Sequence, residues 1–183
     1  MGKQFAALNE DHTRFIAEQK IFFVGSAAQT GKVNISPKGG DCLRLKGPNR
    51  IIWRNLTGSG NETAGHLALE NRMTLMWCGF EKRPIILRCY GTAQVFHARD
   101  AQFDALNAEF KEDVGARQIY DMTIEMVQTS CGYAVPMFDY QQDRTVLEDW
   151  SKGKGRDGID AYWQDRNTKT LDGFETYVVD NDA

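Results

Sequence analysis

Residues 84–96 run Pro84-Ile85-Ile86-Leu87-Arg88-Cys89-Tyr90-Gly91-Thr92-Ala93-Gln94-Val95-Phe96, a β-prone stretch whose apolar residues are nearly continuous. Continuous apolarity asks for burial on both faces of the strand. The stretch before it, residues 72–80, alternates instead, with Met73, Leu75 and Trp77 on one side. A half-open sheet built on two such strands would expose edges and apolar surface that soluble proteins avoid, so pairing with a second copy is expected on physical grounds alone.

The remaining segments favour the same class. Residues 20–26 are β-branched and aromatic, and residues 32–36 alternate beyond the turn Gln29-Thr30-Gly31, which predicts a hairpin. Pro37 is expected to end its second strand, because proline cannot donate to a ladder. Residues 50–56 and 117–128 are further strands. Helices are expected over residues 9–19, 64–71 and 100–110, the last with Phe103, Leu106 and Phe110 at helical spacing and Asp100 as its cap. Roughly six strands without regular strand–helix alternation predict a mainly β fold, a small antiparallel barrel with peripheral α-helices, over a doubly wound parallel sheet. Past Tyr140 come charged turns, a short helix over residues 145–150, the flexible Lys152-Gly153-Lys154-Gly155 and a helical piece over residues 159–165. The organisation is therefore a barrel domain at residues 1–140 and an extension at 141–183. Trp150, Tyr162, Trp163, Phe174 and Tyr177 give that extension enough aromatic surface to pack on the barrel or on a partner chain.

Composition narrows the function. The formal net charge is −3, which disfavours a dedicated nucleic-acid binder. No apolar run approaches the roughly 20 residues of a membrane span, and the start Met1-Gly2-Lys3-Gln4 lacks an export signal's apolar core, so a cytoplasmic protein without membrane partners is expected. Cys42, Cys78, Cys89 and Cys131 form no Cys-x-x-Cys pair, and His12, His66 and His97 are widely spaced, which argues against a metal centre. Chemistry, if present, belongs to an organic cofactor.

The most informative local feature is the loop Gly58-Ser59-Gly60-Asn61-Glu62-Thr63 ahead of a helix. Glycines permit close approach, and a helix start offers unpaired N–H groups and a favourable dipole to a phosphate. A plain helix cap by Ser59 or Asn61 explains the same residues. Lys38, in Ser36-Pro37-Lys38-Gly39, could neutralise that phosphate if the sheet brings the loops together, or be a solvated turn lysine. Arg54 could add a second cation or a cross-strand pair. Cys131, in Ser130-Cys131-Gly132-Tyr133, lacks an evident histidine partner for nucleophilic work. Arg88 needs a partner if it faces inward.

Taken in order, these segments resemble the pyridoxamine 5'-phosphate oxidase-like, FMN-binding split-barrel family over about residues 15–140. The series is Val33-Asn34-Ile35-Ser36-Pro37-Lys38-Gly39, Trp53-Arg54-Asn55-Leu56, Gly58-Ser59-Gly60-Asn61-Glu62-Thr63, Asn71-Arg72-Met73-Thr74-Leu75-Met76, Leu87-Arg88-Cys89-Tyr90-Gly91 and Ser130-Cys131-Gly132-Tyr133-Ala134-Val135-Pro136.

The resemblance implies a six-stranded antiparallel split β-barrel that pairs as a homodimer and holds two FMN molecules at the subunit interface. Lys38, with Ser36 beside it, resembles the lysine that meets the FMN phosphate. Trp53, Arg54 and Asn55 correspond to the strand lining the flavin and ribityl chain. Ser59, Asn61 and Thr63 match the phosphate loop, while Ser130 and Cys131 resemble a segment supplied by the partner chain. The chain departs from the oxidase proper where that enzyme has an Arg-Lys pair, here Ser59-Gly60-Asn61, and its tail, with Trp163 and Arg166, does not match the segment that recognises pyridoxine phosphate. The resemblance thus implies a flavin-dependent oxidoreductase passing hydride between FMN and a small organic or nicotinamide substrate. The alternatives are a flavin-binding or stress-associated protein without a dedicated substrate, the same fold with deazaflavin or haem, and a plain interaction module.

Overall fold

The structure, a computed structural model, describes residues 2–179; Met1 and residues 180–183 of the expected extension lie outside the described part. In chain order the elements are β1 (Lys3–Phe5), α1 (Glu10–Glu18), β2 (Ile21–Ser26), β3 (Asn34–Gly39), β4 (Leu43–Leu45), β5 (Arg50–Leu56), α2 (Glu62–Leu69), β6 (Arg72–Cys78), β7 (Ile85–His97), α3 (Phe103–Asn107), β8 (Ala116–Cys131) and α4 (Val146–Arg166). Asn9 starts α1 through a capping box with His12, each residue's side chain bonding the other's backbone N–H.

The strands form one sheet in the order β3-β2-β6-β7-β8-β5-β4, with β1 added beside β8, and every pairing is antiparallel. At a spacing of about 4.8 Å, the five steps from β3 to β5 would separate these strands by about 24 Å in a flat sheet. Instead Lys38 Nζ on β3 donates to Asn55 Oδ1 on β5 over 2.9 Å, and the rings of Phe22 on β2 and Trp53 on β5 lie 6.2 Å apart. The sheet therefore curls into the expected antiparallel split barrel. Its interior holds Phe22, Val24, Ile51, Trp53, Leu75, Trp77, Leu87 and Tyr120, all buried.

Details differ from the sequence-based expectation for identifiable reasons. There are eight strands among the described residues and not six, because β1 and β4 have three residues each, too few to display a period. Pro37 does not end β3 but pairs with Phe23 inside it; β3 is an edge strand, where the missing N–H costs no ladder bond. The third helix is shorter than expected, and Gln102 stands at its N-cap position while the Asp100 carboxylate accepts from His97 N–H. The continuous apolarity of β7 does not reflect burial on both faces within the chain. Leu87, Cys89, Gly91 and Ala93 face the core, whereas Ile86, Arg88 and Tyr90 are only half-buried on the outer face. In the tail, the two expected helices join as α4 across a kink at Gly155, whose φ of 65° is a left-handed value that glycine tolerates.

At the bulge between Tyr90 and Gly91, β8 passes so near that a Cβ on residue 91 would run into the Thr123 carbonyl oxygen. Gly91→Ala should destabilise the fold by about 3 kcal/mol, read as a lowered urea midpoint. An unchanged midpoint would contradict this packing.

Candidate functional site

Closure of the barrel brings edge strand β3 against the end of β5 and the loop that opens α2. Between them lies a polar pocket of about 320 Å³ lined by Asn34, Ser36, Lys38, Asn55, residues 58–63 and Arg117. Six of the expected site residues meet here: Ser36, Lys38, Asn55, Ser59, Asn61 and Thr63.

Lys38 is half-buried, with its ammonium 5.4 Å from the centre of the Trp53 ring, and spends one of its three N–H donors on Asn55 Oδ1. Asn55 is oriented in turn by donating from Nδ2 to Gln118 Oε1 over 3.1 Å. Thr63 Oγ1 accepts from Asn34 Nδ2 at 3.2 Å and lies 3.4 Å from the Ser26 hydroxyl, which also meets His66 Nδ1 at 3.1 Å. Ser36 Oγ donates to Asn34 Oδ1 at 3.1 Å. Asn61 occupies the N-cap position of α2, yet its side chain makes no cap bond and its Nδ2 donates to Asn167 O over 3.2 Å. The first-turn N–H groups, which have no partners within a helix, are thus not claimed by the residue best placed to claim them. The one carboxylate on the pocket, that of Glu62, is turned to the tail and accepts from Leu171 N at 3.1 and 3.2 Å.

The second cation is Arg117, near the start of β8, which sequence reasoning does not single out. It is 2 % exposed, and its guanidinium donates to neutral acceptors: Gly60 O at 3.0 Å, Gly58 O at 3.4 Å and Asn167 Oδ1 at 2.6 Å. Its Nε is buried without a partner. A cation of the barrel wall therefore stands beneath the loop in which Ser59-Gly60-Asn61 carries none. The only sequence signal is an arginine opening an otherwise alternating strand.

Four expected residues lie elsewhere. Trp53 is fully buried in the barrel, stacked on Tyr120 with ring centres 4.3 Å apart, so it supports Lys38 from inside and has no surface for a flavin. Arg54 faces the opposite side of β5, donating to Lys111 O over 2.6 Å and lying 5.0 Å from the Phe110 ring, because adjacent strand residues point to opposite faces. Ser130 and Cys131 end β8, whereas Arg117 stands near its beginning, about 45 Å away along the strand. Within one chain they do not reach the pocket. Ser130 instead accepts from Arg88 at 3.2 Å, which gives Arg88 its polar partner, and Cys131 is an exposed free thiol.

Across β3 from the polar pocket is a more apolar groove of about 510 Å³. Asn34, Ser36 and Lys38 face the pocket, while Val33 and Ile35 line the groove with Phe23, Met76 and Tyr90. Among the described residues there is no cluster of metal-ligating side chains, and no helix is long and apolar enough to cross a membrane.

The fold and site are those of an antiparallel split barrel with a two-cation pocket at a helix start. The family model for pyridoxamine 5'-phosphate oxidase matches residues 8–131, and the chain belongs to that family. It is 33 % identical over 149 residues to the pyridoxamine 5'-phosphate oxidase family protein ustO of Aspergillus flavus, an alignment covering 79 % of this chain and 60 % of that one. The chain thus spans less than two thirds of the length of that curated relative. Among solved structures, HupZ from Group A Streptococcus matches with a TM-score of 0.52 at 16 % identity, over 65 % of this chain and 91 % of that one. A Clostridium acetobutylicum protein related to general stress protein 26 of the pyridoxinephosphate oxidase family matches with a TM-score of 0.50 at 17 % identity, over 66 % and 86 % of the two chains. At these identities the likeness is one of fold.

Burial, and next the nearby Arg117 charge, push the Lys38 ammonium down to about 8, with Cys42 acting weakly in the other direction. Because the folded value is depressed, free Lys38 loses its proton as pH rises through about 8, and with it one of the two charges that attract an anion. Affinity for inorganic phosphate, measured by calorimetry, should fall between pH 7.5 and 9.5 by about tenfold. Lys38→Met should flatten that profile. A wild-type affinity that is level across this window would contradict the assignment.

Proposed function

We propose that the protein binds FMN, as a homodimer, and acts as a flavin-dependent oxidoreductase on a small organic or nicotinamide substrate. One observation carries this reading: two cations, Lys38 and Arg117, converge with the start of α2 on a pocket whose single carboxylate is engaged elsewhere. A phosphate monoester brings about −1.5 to −2 charges at neutral pH and three strong acceptor oxygens, which match that donor set. Lys38, Arg117, Ser36, Ser59 and Thr63 would hold it, and the apolar groove across β3 offers Phe23, Ile35, Met76 and Tyr90 to an aromatic ring system. Bound FMN supplies two-electron chemistry by hydride exchange. The chain's own contribution is to bind, orient and shield it. The buried Asn55, Gln118 and Tyr120 behind Lys38 fix the ammonium.

A second copy is supported by the outer face of the sheet. Val33 and Ile35 are 71 % and 68 % exposed and line one groove with half-buried Phe23, Met76 and Tyr90, a contiguous apolar patch of the kind that marks an interaction surface. In such a pair the Ser130–Cys131 segment could approach the other copy's ligand, which is how it would contribute without reaching its own.

Titration of purified protein with FMN, followed by quenching of flavin fluorescence, should give saturable binding. Lys38→Ala should weaken it at least tenfold, the expected cost of one charge-assisted hydrogen bond. Light scattering should return a dimer. Anaerobic mixing of the holoprotein with NADH or NADPH should bleach the flavin band. Absence of FMN binding would overturn the reading, as would a spectrum of deazaflavin or haem in the protein as isolated, while binding without bleaching by any reductant would leave a flavin carrier in place of an enzyme.

A further inference from the structure

Asn167, the residue that follows α4, is completely buried; its backbone N–H closes the helix on Trp163 O, while its side chain and carbonyl reach the walls of the anion pocket. Its Nδ2 donates to Gly58 O over 3.0 Å, and its Oδ1 accepts from the Arg117 guanidinium over 2.6 Å. Its backbone carbonyl accepts from Asn61 Nδ2 at 3.2 Å and from the Thr176 hydroxyl. These partners fix which way the carboxamide points, since a guanidinium can only donate and a carbonyl can only accept. One residue of the C-terminal extension thereby ties together the loop before α2, the N-cap residue and the cation of β8. Two flanking contacts brace it: Trp163 Nε1 donates to Thr57 Oγ1 over 2.8 Å, and Leu171 N–H draws the Glu62 carboxylate aside.

Two consequences follow from the chemistry of an amide at this position. First, a neutral acceptor orients the Arg117 guanidinium without cancelling its charge, which a carboxylate would do. Second, by occupying Asn61 Nδ2, the Asn167 carbonyl holds the N-cap side chain away from α2, so the helix-start N–H groups stay uncommitted. We infer that Asn167 is a positioning residue of the anion pocket, and that the extension beyond the barrel is a working part of the phosphate site. The inference rests on the FMN reading above and adds to it the residue that keeps the pocket charged and open.

Asn167→Asp tests it with a nearly isosteric change. The carboxylate would neutralise Arg117 and could not donate to Gly58 O. Binding of FMN and of riboflavin, which has the same ring system without the phosphate, would be measured on the folded variant by fluorescence titration, with thermal denaturation as the check on folding. FMN affinity should fall by about tenfold or more while riboflavin affinity stays within about twofold of wild type. Asn167→Ser, which keeps a shorter donor and acceptor, should show the same selectivity with a smaller loss, and it carries the test if the aspartate variant does not fold. Equal losses for both ligands would reduce Asn167 to a structural role, and unchanged FMN affinity would overturn the inference. Wild-type protein that binds riboflavin and FMN equally would overturn the anion reading itself along with it.

Discussion

The arrangement depends on a guanidinium buried without a carboxylate. Arg117 donates to three neutral acceptors and leaves its buried Nε without a partner, and no acidic side chain pairs with it or with Lys38 among the described residues. Removing a charge from water is costly unless hydrogen bonds and an opposite charge compensate it. Burial accordingly pulls Arg117 down to about 10 and Lys38 down to about 8. Two cations in one small pocket repel each other, and a dianion between them would turn that repulsion into attraction. The fold tolerates this frustration because the elements that hold the two charges are fixed by a large apolar core, in which Trp53, Trp77 and Tyr120 are almost wholly excluded from solvent.

Topology delivers the charges to one place. β8 is the longest strand and pairs with β7 and β5 and, near its end, with β1, so its start is anchored under the loop that leaves β5. β3, at the far edge of the sheet, meets β5 only because the sheet curls, and the Lys38 to Asn55 hydrogen bond spans the seam. The same curl leaves Val33 and Ile35 pointing outward while Asn34, Ser36 and Lys38 line the pocket. Period-two alternation along a single edge strand thus separates a polar receptor from an apolar one.

Much of this is legible in the sequence. The hairpin of β2 and β3, the span of β5 and the loop that opens α2 all follow from turn residues and alternation. Lys38, Ser59, Asn61 and Thr63 are residue types suited to holding an anion, and the fold brings them together. Sidedness and register are not legible in the same way. Trp53 and Arg54 are neighbours in a strand and so cannot both face one ligand, and which of them faces the core is decided by the pairing of β5 with β8. Arg117 and Asn167 stay hidden because each acts through a contact with residues about 60 and 110 positions distant, and neither stands in a motif. The half-buried outer face of β7 escapes a sequence reading because apolarity reports burial without saying whether the cover comes from the same chain.

The central claim is that a phosphate group sits between Lys38 and Arg117 at the start of α2. A crystal structure of the protein grown with FMN tests it most directly. The account predicts tetrahedral phosphate density within hydrogen-bond reach of Lys38 Nζ and the first-turn N–H groups of α2. FMN bound elsewhere, with that pocket closed by a side chain, would contradict it.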